Sequence, residues 1–246
     1  MSTASRLAAA SAALTVIVSA AAAPAEAYTV IDLTGNNTTA DASGHGNNGV
    51  WVGTSSYAPI GGTTGFNLDG SSYVDVPAGP GLNVPVNTDV TLSALVDPAG
   101  PGLGSERVID KITVGTADGY LIDILGDRFR VIMAGVALIG STPVVAGTTY
   151  QVEAVYDGAL PTPTLSLFVD GALDGTTTAG AWANGGANDF KVGVDSQGRN
   201  TFTGVVANAV LAYSVPEPAT WTLMLAGVAG LGVALRTRRR TTVPAA

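Results

Sequence analysis

Four polar residues in one short stretch are the first candidates for chemistry: Asp41, His45, Asn47 and Asn48 in DASGHGNNG, residues 41–49. Asp41, Asn47 and Asn48 offer hard oxygen donors on a glycine-rich turn, the donor type that Ca²⁺ takes. The same residue types form Asx turns, in which a side-chain oxygen accepts a nearby backbone N–H. The turn is the expected role, with calcium on Asp41 and Asn47 as the alternative. His45 is the single histidine in a chain without cysteine, so a zinc site of the usual kind has no ligand set and a solvated loop residue is expected. Glycoside hydrolysis needs two carboxylates astride the scissile bond. Between residues 28 and 214 the only glutamates are Glu106 and Glu153, and neither lies in a paired motif. The serines of GTSS and GSS lack a nucleophile elbow. These absences lead to a non-enzymatic reading. Two tryptophans remain as platforms for a sugar ring. Trp51, between Val50 and Val52, reads as core, whereas Trp182 in AGAWANGGAND either packs over a sheet edge or stands out as a ligand-binding face.

The ends of the chain say where such a body would work. Residues 1–27 carry one early cation, Arg6, then an apolar run from Leu7 to Ala23, and finish Ala25-Glu26-Ala27. That order fits a secretory signal peptide cut before Tyr28. At the other end, Pro216-Glu217-Pro218 precedes Ala219–Leu235, seventeen residues without a charge, then Arg236, Arg238, Arg239 and Arg240. As a helix the apolar run measures roughly 26 Å, a short span for a hydrocarbon core of about 30 Å. Basic residues beside a span stay cytoplasmic, which leaves the body outside.

This tail resembles the PEP-CTERM sorting signal of Gram-negative bacteria. The resemblance implies an exosortase, a membrane-embedded thiol protease, as processing partner, with membrane contact through the C-terminal helix until the tail is removed. Prolines keep a segment extended, which suits presentation to a protease. A permanent single-span anchor would use the same residues uncut. The stub Thr241–Ala246 leaves no room for a cytoplasmic domain.

Charge narrows the partners of residues 28–214. Of 11 Lys and Arg, Arg6 and the four tail arginines lie outside, leaving six; of 19 Asp and Glu, Glu26 and Glu217 lie outside, leaving seventeen. The body therefore stands near −11, which repels phosphate backbones and excludes nucleic acid as a natural partner. Without cysteine, stability must come from the core or from a metal.

Short runs rich in Val, Ile, Thr, Tyr and Phe recur throughout the body, and none has helical periodicity. The spacing predicts strands at 50–53, 65–68, 73–76, 90–96, 107–114, 120–124, 128–133, 150–156, 164–169, 190–194 and 202–213, separated by Gly, Pro, Asn and Asp clusters. In TLSLFVDG, Leu165, Leu167 and Val169 share one face and Ser166 and Phe168 the other, and Asp170-Gly171 forms a hairpin turn. The expected fold is an all-β sandwich or barrel.

Seven segments in order, DASGHGNNGVWVG, GFNLDGSSYVDVP, VTLSALVDP, RVIDK, YQVEAVYDG, LSLFVDGAL and FKVGVD, resemble the bacterial LamG-like, concanavalin A-like domain. The resemblance implies an antiparallel jelly-roll β-sandwich over 28–214. It has two sheets of about six or seven strands, one of them concave, with the first and last strands adjacent. A signal helix (1–27) and a transmembrane sorting helix within 215–240 flank it. Such domains often bind glycans or proteins, sometimes with calcium; here Ala207 and Asn208 stand where the family usually places an acidic pair. The expected function is an exported module, at the cell envelope or in the extracellular polysaccharide matrix, that binds a glycan or another envelope component. A surface-coat protein without a specific ligand is the alternative.

Overall fold

In the computed structural model, residues 26–86, 88–100, 104–116, 118–182 and 186–215 are described. Residues 1–25 of the expected signal peptide and the expected sorting helix from 216 onward lie outside them, whereas Glu26 and Ala27, expected before the cleavage point, begin the first strand. The compact unit Ala25–Pro216 holds all fifteen strands of the described residues and the whole apolar core.

The strands are β1 (Glu26–Leu33), β2 (Val50–Val52), β3 (Tyr57–Ile60), β4 (Thr63–Asp69), β5 (Tyr73–Val76), β6 (Val90–Pro98), β7 (Ser105–Lys111), β8 (Tyr120–Leu125), β9 (Arg128–Met133), β10 (Val136–Pro143), β11 (Tyr150–Asp157), β12 (Thr164–Val169), β13 (Ala172–Thr178), β14 (Phe190–Val192) and β15 (Thr203–Val215). One 3-10 turn, Pro80–Leu82, is the only helical element among the described residues. An eight-stranded sheet runs β13-β12-β11-β6-β15-β4-β3, with β1 also paired to β15. A seven-stranded sheet runs β10-β9-β8-β7-β14-β5-β2. Their pairings are antiparallel, which makes the molecule an all-β sandwich in agreement with a jelly roll.

Alternation builds the core. In β6, Val90, Leu92, Ala94 and Val96 are buried while the residues between them are partly exposed; β11 does the same with Val152, Ala154 and Tyr156, and β12 with Leu165, Leu167 and Val169. Phe66, Phe129, Phe190 and Phe202 fill the space between the sheets. The β12–β13 hairpin turns at Asp170 (φ 51°) and Gly171 (φ 76°), the positive-φ pair that a two-residue turn requires. The first and last strands are neighbours, Tyr28 opposite Tyr213 and Leu33 opposite Ala209.

The sheets hold eight and seven strands, more than the sequence pattern predicts. β1, β3, β10 and β13 escape that pattern. All four are paired on one side only, which leaves weak alternation, and β3 carries Pro59, which only an edge tolerates. The strand expected over 107–114 instead covers 105–111, because Thr113, Thr116 and Asp118 fold the following residues into a hydrogen-bonded turn.

Candidate functional site

The Asp41 loop is held by its own side chains. The Oδ1 atom of Asp41 accepts the backbone N–H groups of Asp32 and Ser43, both at 2.9 Å; its Oδ2 accepts the Ser43 hydroxyl at 2.8 Å and the Asn47 N–H at 3.0 Å. Asn48 Oδ1 accepts the Asp41 N–H, and Asn47 Nδ2 donates to the Val30 carbonyl at 2.8 Å. Partial burial works to raise the pKa of Asp41, but the bonds from Asp32, Ser43 and Asn47 outweigh it and leave the carboxyl below its ordinary value.

Four donors saturate a carboxylate's two oxygens, so Asp41 has no lone pair directed at a cation. Asp32 is the other acid nearby; burial first, then the charge of Asp41, raises its pKa. Ala207 is fully buried and apolar, and Asn208 sits at φ 50° with its N–H on the Thr34 carbonyl. No three acidic or imidazole side chains converge among the described residues. The bonds to Asp41 favour its turn role over a calcium one, and Asn47 ties the loop to β1 through its amide N–H on the Val30 carbonyl. His45 is exposed, with its ring 4.4 Å from that of Tyr28.

Trp182 is 2% exposed and packs its ring against Tyr120 and Tyr156, at centroid distances of 6.0 and 5.4 Å. Its face is spent in the core, so the ligand-binding expectation for Trp182 gives way to the packing one. The reason is local: Trp182 folds in between the sheets, on rings that lie far away in sequence. Trp51 is partly buried against the core, and its Nε1 donates to the Tyr57 hydroxyl at 3.0 Å.

The seven-stranded sheet carries an ion cluster that the sequence reading did not single out. Arg107, Arg130 and Ser105 converge on Asp123, with Arg130 Nε at 2.9 Å from Oδ1 and Arg130 Nη2 at 2.5 Å from Oδ2. Arg107 Nε lies 2.9 Å from Asp110 Oδ2, an ion pair that lacks hydrogen-bond alignment. Asp110 and Asp123 are fully buried. Burial pushes the Asp110 pKa up to about 7; Arg107 and the Ile112 N–H oppose the rise, while Asp195 and Asp123 add to it. A buried, protonatable acid resembles a catalytic group, but ion pairs seal this one from solvent. Its arrangement serves the fold.

The eight-stranded sheet carries an accessible cleft. On its outer face Glu153, Val155 and Asp157 of β11 and Ser166 and Phe168 of β12, with Gly171 at the hairpin turn, line an open cleft of about 340 Å³. Glu153 stands opposite Phe168 across the strand pair, and Val155 opposite Ser166. Burial of Leu165, Leu167 and Val169 in the core forces Ser166 and Phe168 outward, and Phe168 stays partly exposed. Glu153, expected as an ordinary exposed strand residue, borders this cleft. The alternation shows in the sequence; that Phe168 stays partly exposed does not.

Comparison with known proteins agrees with this architecture. Residues 68–218, more than half of the chain, match the family model of the concanavalin A-like lectin/glucanases superfamily, and residues 214–240 match the PEP-CTERM protein-sorting motif. No curated protein sequence matches the chain. Among solved structures, domain 4 of an extracellular arabinanase from Geobacillus stearothermophilus, in complex with arabinotriose, aligns at a TM-score of 0.58 and 17% identity, over 79% of this chain and 98% of that domain. The binding domain of Paraclostridial Mosquitocidal Protein 1 aligns at 0.60 and 11% identity, over 80% of this chain and 51% of that one. A botulinum neurotoxin type C structure, whose cell entry is described as dependent on two ganglioside molecules, aligns at 0.53 and 12% identity, over 76% of this chain and 47% of that one. The chain thus spans about half the length of the toxin domains. At such identities the likeness is one of fold. The chain belongs to the concanavalin A-like lectin/glucanases superfamily and carries a PEP-CTERM sorting motif.

Proposed function

We propose that this protein is an exported, non-enzymatic glycan-binding module, delivered to the cell envelope or the extracellular polysaccharide matrix through its PEP-CTERM tail. An exosortase removes that tail at the membrane. The observation that carries the reading is the cleft on the eight-stranded sheet: a partly exposed Phe168 beside Glu153, Asp157 and Ser166. An aromatic face takes the apolar side of a sugar ring, and the polar groups around it take its hydroxyls. The arabinanase domain of similar fold, solved with arabinotriose, and the ganglioside-dependent toxin support a saccharide ligand.

Residues 26–215 contain both sheets and the core, and are the fragment to test. On a glycan array this fragment is expected to bind selectively, with and without a calcium chelator. Phe168→Ala is expected to weaken that binding about three- to tenfold, the usual range for an aromatic contact. Absence of binding under both conditions would leave a surface-coat protein as the better account.

A further inference from the structure

The cations of this domain are segregated. All six Lys and Arg residues between 28 and 214 lie in the seven-stranded sheet or on the loop that follows β14: Arg107, Lys111, Arg128, Arg130, Lys191 and Arg199. Most are already engaged. Arg107 and Arg130 hold Asp110 and Asp123, Lys191 holds Asp75 at 2.5 Å, and Lys111 is buried on Asn83 and the Gly186 carbonyl. The strands of the eight-stranded sheet contain no Lys or Arg, yet they carry Glu26, Asp32, Asp69, Asp97, Glu153, Asp157 and Asp174.

The cleft lies within this one-signed sheet. Glu153 and Asp157 point the same way from one strand, four residues and so about 13 Å apart, on either side of Val155. On the adjacent strand Ser166 stands opposite Val155 in the middle of that gap, and Phe168 opposite Glu153 at one end of it. An acidic polymer entering here would meet carboxylates and no counter-charge in the lining. A polymer with ammonium groups would form charge-assisted hydrogen bonds at both ends of the gap.

We propose that the cleft takes a glycan bearing unsubstituted amino sugars, its protonated amines paired with Glu153 and Asp157 and a ring face laid on Phe168. This rests on the reading of the cleft as a glycan site. A basic protein would also be drawn to the acidic sheet, but it would need neither the aromatic nor a cleft of this size; glycan is the better match to both.

The test is titration calorimetry on residues 26–215 with four probes: a glucosamine hexamer, its N-acetylated counterpart, an oligogalacturonate of equal length, and poly-lysine. The glucosamine hexamer is expected to bind tightest and to weaken with salt. Glu153→Gln and Asp157→Asn are each expected to reduce its advantage over the N-acetylated hexamer roughly two- to fivefold, as single ion pairs do, with the neutral sugar little affected. Equal affinity for the acidic oligomer, or a preference that survives both substitutions, would overturn the ligand class. The cleft itself would still stand if Phe168→Ala weakened the neutral hexamer. If Phe168→Ala changed nothing for any sugar, the glycan-binding reading would fall and this inference with it. Poly-lysine binding that displaces the hexamer and ignores Phe168→Ala would assign the face to a basic protein instead.

Discussion

Asp41 carries more of its loop than any other residue, since one side chain satisfies three backbone N–H groups and a hydroxyl. Asp41→Ala would leave the amides of Asp32, Ser43 and Asn47 without that partner. The expected cost is about 2–4 kcal/mol, read as a lower urea midpoint at unchanged slope. The pH dependence has a definite sign. The folded pKa of Asp41 lies below its unfolded value, so its contribution is complete above about pH 4 and is lost as pH falls through the folded pKa. The same saturation bears on calcium. A ligand that binds only the native state raises the midpoint, so millimolar Ca²⁺ should leave the midpoint of the wild-type domain where it stands in chelator. A rise that Asp41→Ala abolished would contradict the hydrogen-bond account. The sequence made the Asx turn of Asp41 on Ser43 legible, because donor and acceptor lie two residues apart, but not the bonds that tie the loop to Asp32 and Val30. Trp182 and Phe168 were not legible as a pair: one aromatic is taken into the core and the other left outside by neighbours that only the tertiary fold supplies.

Two contacts within and between sheets make separate predictions at the level of the strands. Asp110 on β7 has its folded pKa raised to about 7, against an ordinary value near 4. Ionising it therefore penalises the folded state, and stability on its account falls as pH rises from about 4 to 7. Asp110→Asn, which keeps the shape and removes the titration, is expected to match wild type near pH 4 and to exceed it above pH 7 by as much as ~4 kcal/mol. A melting-temperature difference that does not vary with pH would show that Arg107 already compensates the charge. Elsewhere, Asp174 of β13 accepts Ser141 Oγ, Thr142 N–H and Thr142 Oγ1 from β10, a clasp between the edges of the two sheets. Gly140 leaves room for it, because a methyl there would overlap Asp174 Oδ2 and crowd Leu167. Gly140→Ala is expected to cost about 1–3 kcal/mol. Asp174→Ala in the same chain should recover the steric part, and a purely additive double mutant would show that the two residues do not share this space. Strand β10 itself was hidden in the sequence. Ala134-Gly135 turns the chain with φ of 51° and 79°, and alanine is not a residue that announces such a turn. Strands paired on both sides, such as β6 and β11, were legible because burial on one face imposes strict alternation.

The order of the strands in the domain couples addition of β15 to completion of the fold. β15, the last strand, lies inside the eight-stranded sheet rather than at its rim: it pairs with β6 along one side and with β4 and then β1 along the other. Residues 214–215 belong both to this strand and to the match with the sorting motif. Until β15 is added, β6, β4 and β1 present unpaired edges to solvent, and Val206, Ala209 and Leu211 are missing from the core. Pairing of β1 with β15 joins residues nearly a full domain length apart, so folding waits on a contact of high sequence separation and should be slow. A chain ending at Phe202 is accordingly expected to show no cooperative urea transition and to aggregate, whereas one ending at Val215 unfolds in a single step. If the shorter chain unfolded cooperatively, the seven-stranded sheet and the remaining strands would hold a core without β15. The body could then fold before its sorting signal was synthesised, and the last strand would be an addition to a finished domain rather than its closing member.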